Sequence, residues 1–222
     1  MRNGESVSRR FDVSQADIRD LVLDECARVI EAGNLLVIPT DTVYGIAADA
    51  FSASAVTALL KAKGRGREMP PPVLVPRADT VFGLVDGVDE TILTLTARFW
   101  PGPLTIIAAA QPSLDWDLGE THGTVAVRMP DDDDALALLT RTGPLAVSSA
   151  NISGKPAATS ADEAQDMLGS DVEIYLDGGE RTAGTASTII DLSGDTPRIV
   201  RQGPITAEEL REIVPDLLDL DG

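Results

Sequence analysis

Basic side chains concentrate in one short stretch of an otherwise acidic chain. Between positions 61 and 77 stand Lys61, Lys63, Arg65, Arg67 and Arg77, offset only by Glu68, a local surplus of four positive charges. In Lys61-Ala62-Lys63-Gly64-Arg65-Gly66-Arg67 the charges alternate, two glycines interrupt, and Pro70-Pro71-Pro72 follow. A basic helix C-terminus is one account, since the helix dipole favours cations there by up to about 1 kcal/mol. The other is a shaped loop whose extended part sends Arg65 and Arg67 in one direction, as a polyphosphate would require. Both readings stay open on these residues alone.

Two polar segments add to this. Pro39-Thr40-Asp41-Thr42-Val43-Tyr44-Gly45 follows the apolar run Leu35-Leu36-Val37-Ile38, and Val147-Ser148-Ser149-Ala150-Asn151-Ile152-Ser153-Gly154 repeats the arrangement after another apolar run. Polar groups at the carboxyl end of a buried strand lie where open α/β sheets bind ligands. Taken singly, each is equally well a turn rich in Ser, Asn and Gly.

Other chemistries find no support. There is no G-x-x-x-x-G-K-[ST], no G-x-G-x-x-G and no G-x-S-x-G, so neither a phosphate-cradling glycine loop nor a nucleophile elbow is indicated. The single cysteine, Cys26, shares a helical face with Leu23, Ala27 and Ile30 and reads as a buried thiol. One cysteine and one histidine (His122, in a polar, glycine-flanked stretch) leave no metal cage to build, so no protein-held metal is expected. The run Asp131 to Asp134 reads as a solvated first helical turn. Asn151-Ile152-Ser153 fits a glycosylation sequon, an incidental match without an export signal.

The elements that must position these residues follow from periodicity and capping signals. A helix is predicted from Gln15 to Ala32, with Ser14 as N-cap and Gly33 as stop. Ser54 caps a second helix to about Lys63, and Glu90 to Trp100 forms another, ended by Pro101-Gly102-Pro103. Further helices run from Asp132 to Thr140, from Ser160 through Met167 with Glu163 completing a capping-box pattern, and from Thr206-x-x-Glu209 to about Val214. Strands are predicted at Leu35–Ile38, Val73–Val75, Leu104–Ala110, Thr124–Arg128, Leu145–Ser148, Ser187–Leu192 and Arg198–Arg201. The apolar runs lack alternation, as in strands covered on both faces. Strands mixed with helices throughout give an α/β sheet with helices packed on it.

Composition bounds the rest. The chain has 222 residues, is 43% hydrophobic but only 4% aromatic, and sets 18 basic against 36 acidic residues for a net charge of −18. One domain with an aliphatic core is expected. Such acidity disfavours sequence-independent nucleic-acid binding, which needs basic surface to displace counterions. No apolar run approaches the roughly 18 residues of a membrane span, and the opening residues lack the apolar core of a signal peptide, so a cytoplasmic location is expected.

In order along the chain, Pro39-Thr40-Asp41-Thr42-Val43-Tyr44-Gly45, Lys63-x-Arg65, Phe99-Trp100-Pro101-Gly102-Pro103-Leu104-Thr105, Val127-Arg128-Met129-Pro130, Ser149-Ala150-Asn151-x-Ser153-Gly154, Ser187-Thr188 and Arg201-x-Gly203 closely resemble the YrdC-like family of threonylcarbamoyl-AMP synthases, in its short form. The resemblance runs from about Ala16 to Ile205. It implies a single-domain twisted mixed sheet with flanking helices and a large concave, positive cavity. On this reading residues 1–14 are a polar N-terminal arm, residues 15–206 the catalytic domain, and residues 207–222 an acidic, solubilising helix and tail.

The implied activity is that of a nucleotidyltransferase joining L-threonine, bicarbonate (or CO2) and ATP, with Mg2+, into threonylcarbamoyl-AMP and pyrophosphate. A downstream threonylcarbamoyl-transferase complex then modifies tRNA, which this chain meets only indirectly. By the same resemblance Lys63 and Arg65 hold the phosphates as the catalytic pair, helped by Arg67. Thr105, Ser149, Asn151 and Arg201 complete the nucleotide site, while Thr40, Arg128 and Ser187 grip the threonine. Three positions depart from the family pattern. Met69 stands where a polar or basic residue is usual, Leu74 where many relatives have histidine, and Gln202 replaces a proline, which would loosen the placement of Arg201. A second reading, an RNA-binding module using the same cationic cavity, is disfavoured by the net charge and by the shortage of aromatics for base stacking.

Overall fold

The strand Leu36-Val37-Ile38 shows no alternation because both of its faces are covered: Leu36 and Ile38 join one hydrophobic cluster and Val37 the other. That arrangement organises the whole computed structural model, which describes residues 8–220. The elements are β1 (Arg9–Asp12), α1 (Arg19–Glu31), β2 (Leu36–Ile38), β3 (Gly45–Asp49), α2 (Ala53–Ala62), β4 (Val73–Leu74), α3 (Val81–Leu84), α4 (Glu90–Phe99), β5 (Leu104–Ala109), β6 (Thr124–Arg128), α5 (Asp133–Thr142), β7 (Leu145–Ser149), α6 (Ala161–Leu168), β8 (Ile174–Asp177), β9 (Thr188–Asp191), β10 (Arg198–Arg201) and α7 (Ala207–Arg211). The ten strands form one mixed sheet in the order β1-β8-β2-β3-β7-β4-β6-β5-β9-β10.

The two faces of this sheet are covered differently. Helices α1 and α5 pack together over the β8-β2-β3-β7 portion, through Leu23, Cys26, Leu138 and Leu139. The opposite face takes α2, α4 and α6, burying Val56, Leu59, Leu95 and Ala164 with Leu104, Ile106, Val125 and Val127. On the α1 side, the remaining strands β4, β6, β5 and β9 present Leu74, Ala126, Arg128, Thr105, Ile107 and Ile189 to a cavity instead. The fold therefore leaves half of one sheet face as the floor of a hollow.

Several boundaries differ from the sequence reading for identifiable reasons. Ser14 is not the cap of α1: Val13 is still tied to the sheet, its N–H donating to Asp177 O at 3.0 Å, so the chain must turn before the helix starts at Arg19. Ser52, not Ser54, caps α2 by accepting from Ala55 N at 3.3 Å. Strands β1, β3 and β8 and helix α3 have no counterpart in the sequence reading. β1 falls within the expected polar arm, where Arg9 and Arg10 pair with Glu25, Glu173, Asp162 and Asp177 and make a polar strand stable at the sheet edge. Part of the arm, residues 1–7, and residues 221 and 222 of the tail lie outside the described residues.

The acidic tail also does more than solubilise. Leu210, Val214 and Leu217 are buried, and Leu218 bridges the free side of β10, accepting from Ile199 N at 2.9 Å. It thereby covers an edge strand that would otherwise offer unpaired backbone groups. The Thr206/Glu209 capping box is present in full. Cys26 is fully buried, and burial pushes its thiol up to about 12, so it is inert packing.

One glycine is essential to the geometry near the cavity. A Cβ at Gly203 would overlap the Thr188 backbone nitrogen and the Ser187 carbonyl carbon. The chain after β10 can therefore lie against the start of β9 only with glycine there. Gly203→Ala is expected to destabilise the protein by roughly 2 kcal/mol or more in urea unfolding. Gly194→Ala, where an added Cβ meets nothing, should move the midpoint little.

Candidate active site

The cavity on the open half-face has a volume of about 300 Å³. Of the residues singled out from the sequence, Thr40, Arg65, Thr105, Arg128, Ser149, Ser187 and Arg201 all line it, and among the described residues no Asp or Glu does. Residues distributed over some 160 positions of sequence meet there although β2 and β7 run opposite to β6 and β10, because the cavity lies across the face of the sheet and not at one end of its strands.

Each guanidinium is held by its own arrangement. Arg128, the last residue of β6, is buried; its Nε donates to Gly102 O at 3.0 Å, its Nη1 to Thr42 Oγ1 at 3.0 Å, and its Nη2 to the Asp41 carboxylate. Gly102 O is available because Phe99-Trp100-Pro101-Gly102 turns back beneath β5, with a cis Trp100–Pro101 peptide and Trp100 Nε1 donating to Leu104 O at 2.8 Å. Arg65 leaves α2 through Gly64, and its Nη1 donates to Ser148 Oγ at 3.0 Å, while its buried Nε has no partner. Arg201 donates from Nε to Ser187 O and from Nη2 to Ser187 Oγ, both at 2.9 Å. Ser187 Oγ is in turn 2.8 Å from Thr105 Oγ1.

Arg65 and Arg201 thus rest on neutral acceptors, and neither forms an ion pair among the described residues. Burial lowers the pKa of Arg201, and the charges of Arg128 and Arg65 add to the effect. Burial likewise dominates the lowering at Arg128, opposed by Asp41. Three like charges share one hollow with one carboxylate between them, a field suited to anions.

Other sequence-selected residues lie elsewhere. Lys63 is buried at the C-cap of α2, with its ammonium turned away from the cavity into the loop after β7. Asn151 lies in that loop and does not line the cavity, and Arg67 pairs with Asp117 at 2.7 Å on the surface. Thr40 Oγ1 donates to Val43 O at 2.6 Å, so its proton is committed to the loop. Gln202 does not loosen Arg201: its Nε2 donates to Gly203 O and Ile205 O and ties down the turn. Met69 and Leu74 supply apolar wall, and His122 sits in a loop at φ 51°.

Other residues that the site uses carry no signal of their own in the sequence. Asp41 and Thr42 seat Arg128, and Ser148 seats Arg65; all three fall inside the polar segments quoted above. Asp132, placed in a solvated run, caps α5 and also pairs with Arg181 at 2.8 Å, with only 9% of its side chain exposed. Arg181 lies over the Tyr44 ring, and Tyr44 OH donates to Gly179 O at 2.6 Å, anchoring the loop that leads to Ser187.

A mixed sheet carrying an arginine-lined cavity, to which no Asp or Glu contributes lining among the described residues, presents a site suited to anions. Similarity to known proteins makes this specific: residues 28–203 match the Sua5/YciO/YrdC family (described as telomere recombination), and the chain belongs to that family. A Mycobacterium tuberculosis relative, provisionally named threonylcarbamoyl-AMP synthase, is 48% identical over 208 residues, 94% of this chain and 96% of its own. The structure of Pyrococcus abyssi Sua5 complexed with L-threonine superposes with a TM-score of 0.87 at 33% identity, covering 96% of this chain and 62% of that one. Escherichia coli YciO shares the fold, with a TM-score of 0.79 at 22% identity over 92% of this chain and 98% of its own.

Asp41→Asn is expected to leave the buried Arg128 charge uncompensated and to cost about 3 kcal/mol in urea unfolding. Adding Arg128→Met should recover much of that loss. A double variant as unstable as the two single losses summed would show that the pair is not the reason.

Proposed function

We propose that this chain is a threonylcarbamoyl-AMP synthase, a nucleotidyltransferase that converts L-threonine, bicarbonate (or CO2) and ATP to threonylcarbamoyl-AMP and pyrophosphate. The observation that carries the reading is the convergence of Arg65, Arg128 and Arg201 on one cavity without a lining carboxylate. It is supported by 48% identity to a provisionally named synthase and by similarity to a relative complexed with L-threonine.

The chemistry suits such a site. Threonine's amine combines with CO2 to give a carbamate, whose oxygen attacks the α-phosphorus of ATP as pyrophosphate departs. Carbamate and triphosphate are both anionic, so their approach must be screened by fixed cations. Arginine does this well because its planar fork grips two oxygens at once. Arg65 and Arg201, free of carboxylate partners, take the nucleotide side with Thr105 and Ser149. Arg128, Thr40 and Ser187 take the threonine side, Arg128 meeting the substrate carboxylate with the N–H groups that Asp41, Thr42 and Gly102 leave unused. Positioning two reactants supplies about 7–11 kcal/mol of a barrier, and preorganised charge supplies the other large part, so no strong side-chain base is required.

Mg2+ enters with ATP as part of the substrate. Among the described residues no group of three or more His, Cys, Asp or Glu is placed to hold a metal ion. The product passes to a threonylcarbamoyl-transferase complex that acts on tRNA. No helix among the described residues is long and apolar enough to cross a membrane.

Incubation with ATP, threonine and bicarbonate should yield threonylcarbamoyl-AMP by mass spectrometry, with pyrophosphate release that requires both other substrates. Arg65→Ala should lower adenylate formation by about 100-fold with the fold retained, a loss typical of removing a charged transition-state contact. Arg128→Ala should raise the threonine KM far more than the ATP KM. Equal effects on both would assign Arg128 to the wrong substrate.

A further inference from the structure

The buried ammonium of Lys63 is not used by the mechanism above, yet it sits behind the cavity wall. Its Nζ donates to the carbonyl oxygens of Ser149 and Asn151 and, at 3.1 Å, to Asn151 Oδ1. An ammonium can only donate, so it dictates which end of the Asn151 amide faces it. Nδ2 is then turned the other way, where it donates to Ile152 O at 3.0 Å and Lys155 O at 2.6 Å. Oδ1 can only accept, and Ser149 Oγ lies 2.6 Å from it. The Ser149 proton is therefore committed to Asn151, and the lone pairs of this cavity-lining hydroxyl are what remain for a ligand.

We propose that Lys63 is a positioning residue that makes Ser149 a hydrogen-bond acceptor, so that Ser149 selects a substrate hydroxyl and not a phosphate oxygen. This deepens the proposed synthase reading and rests on it. Two substrates carry such donors: the ribose of ATP and the side chain of threonine. Burial, with a smaller contribution from the nearby Arg65 charge, holds the Lys63 pKa down to about 8. Above that pH the neutral amine has two hydrogens for three acceptors plus a lone pair of its own, and the constraint on Asn151 relaxes.

The test compares ATP with 2′-deoxy-ATP and 3′-deoxy-ATP, and threonine with 2-aminobutyrate, by kcat/KM for adenylate formation and by direct calorimetric binding. In the wild type one of these hydroxyl deletions should cost about tenfold, the worth of a well-placed hydrogen bond. The arm that shows it identifies the donor. In Ser149→Ala, and in Lys63→Met, the same deletion should cost less than about twofold, and the two substitutions together should be no worse than either alone. The wild type's own discrimination should fade between about pH 7 and about pH 9.5, which tests the idea even if Lys63→Met does not fold. Additive effects of Lys63→Met and Ser149→Ala would overturn the proposal, as would weaker pyrophosphate binding in Ser149→Ala or a pH-independent hydroxyl preference. A wild type that binds ATP but forms no adenylate would sink the synthase reading instead, and the binding data would still decide this one.

Discussion

The arrangement around the cavity depends on one constraint: several guanidinium groups, one of them buried, must be gathered in one hollow without being neutralised. Burying a charge is costly unless it is hydrogen-bonded, and pairing each cation with a carboxylate would cancel the field that attracts anions. The solution seen here uses neutral acceptors. Gly102 O, Thr42 Oγ1, Ser148 Oγ, Ser187 O and Ser187 Oγ each take an arginine N–H. Only the most deeply buried of the three, Arg128, has a carboxylate partner, Asp41. The field of the site comes from what its arginines are not bonded to.

The acidity of the chain fits this constraint. Surface arginines are paired off: Arg9, Arg10, Arg19, Arg67, Arg98, Arg141 and Arg211 all reach carboxylates. Arg65 and Arg201 are left without one. Acidic residues in excess therefore offset these surface arginines while leaving Arg65 and Arg201 without an ion pair, which sharpens the contrast between site and surface. Exposed pairs of this kind contribute little to stability, so their consequence lies in the electrostatic pattern.

How much of this could be read from the sequence follows from what each signal encodes. The buried strands Leu36–Ile38 and Leu145–Ser149 were legible because a short, continuous apolar run between turn residues fits little besides a strand covered on both faces. The Thr206/Glu209 box was legible because its two partners are local. β1 was not, since Arg9 and Arg10 become strand residues only through acids at positions 25, 162, 173 and 177. The start of α1 was misplaced for the same reason, Val13 being held by Asp177 on a strand far away in sequence. Resemblance to a family pointed to polar segments from which seven residues line one cavity, but it could not say which way Lys63 points. Side-chain direction at a helix C-cap depends on which acceptors the fold places nearby.

Lys63, Arg65 and Arg67 alternate along an interrupted stretch, and alternation suggests a shared direction. The structure sends them three ways: Lys63 inward to the loop after β7, Arg65 into the cavity, and Arg67 outward to Asp117. Gly64, at φ 61°, breaks the helix between the first two and lets the backbone swing, so spacing no longer maps onto a face. A lysine, with a compact ammonium and three donors, fits a knot of carbonyl oxygens; an arginine, with a planar fork, can rest on one hydroxyl and still offer N–H groups to a ligand. The division of labour between Lys63 and Arg65 follows from donor geometry, so exchanging the two residues would reproduce neither environment although every charge is conserved.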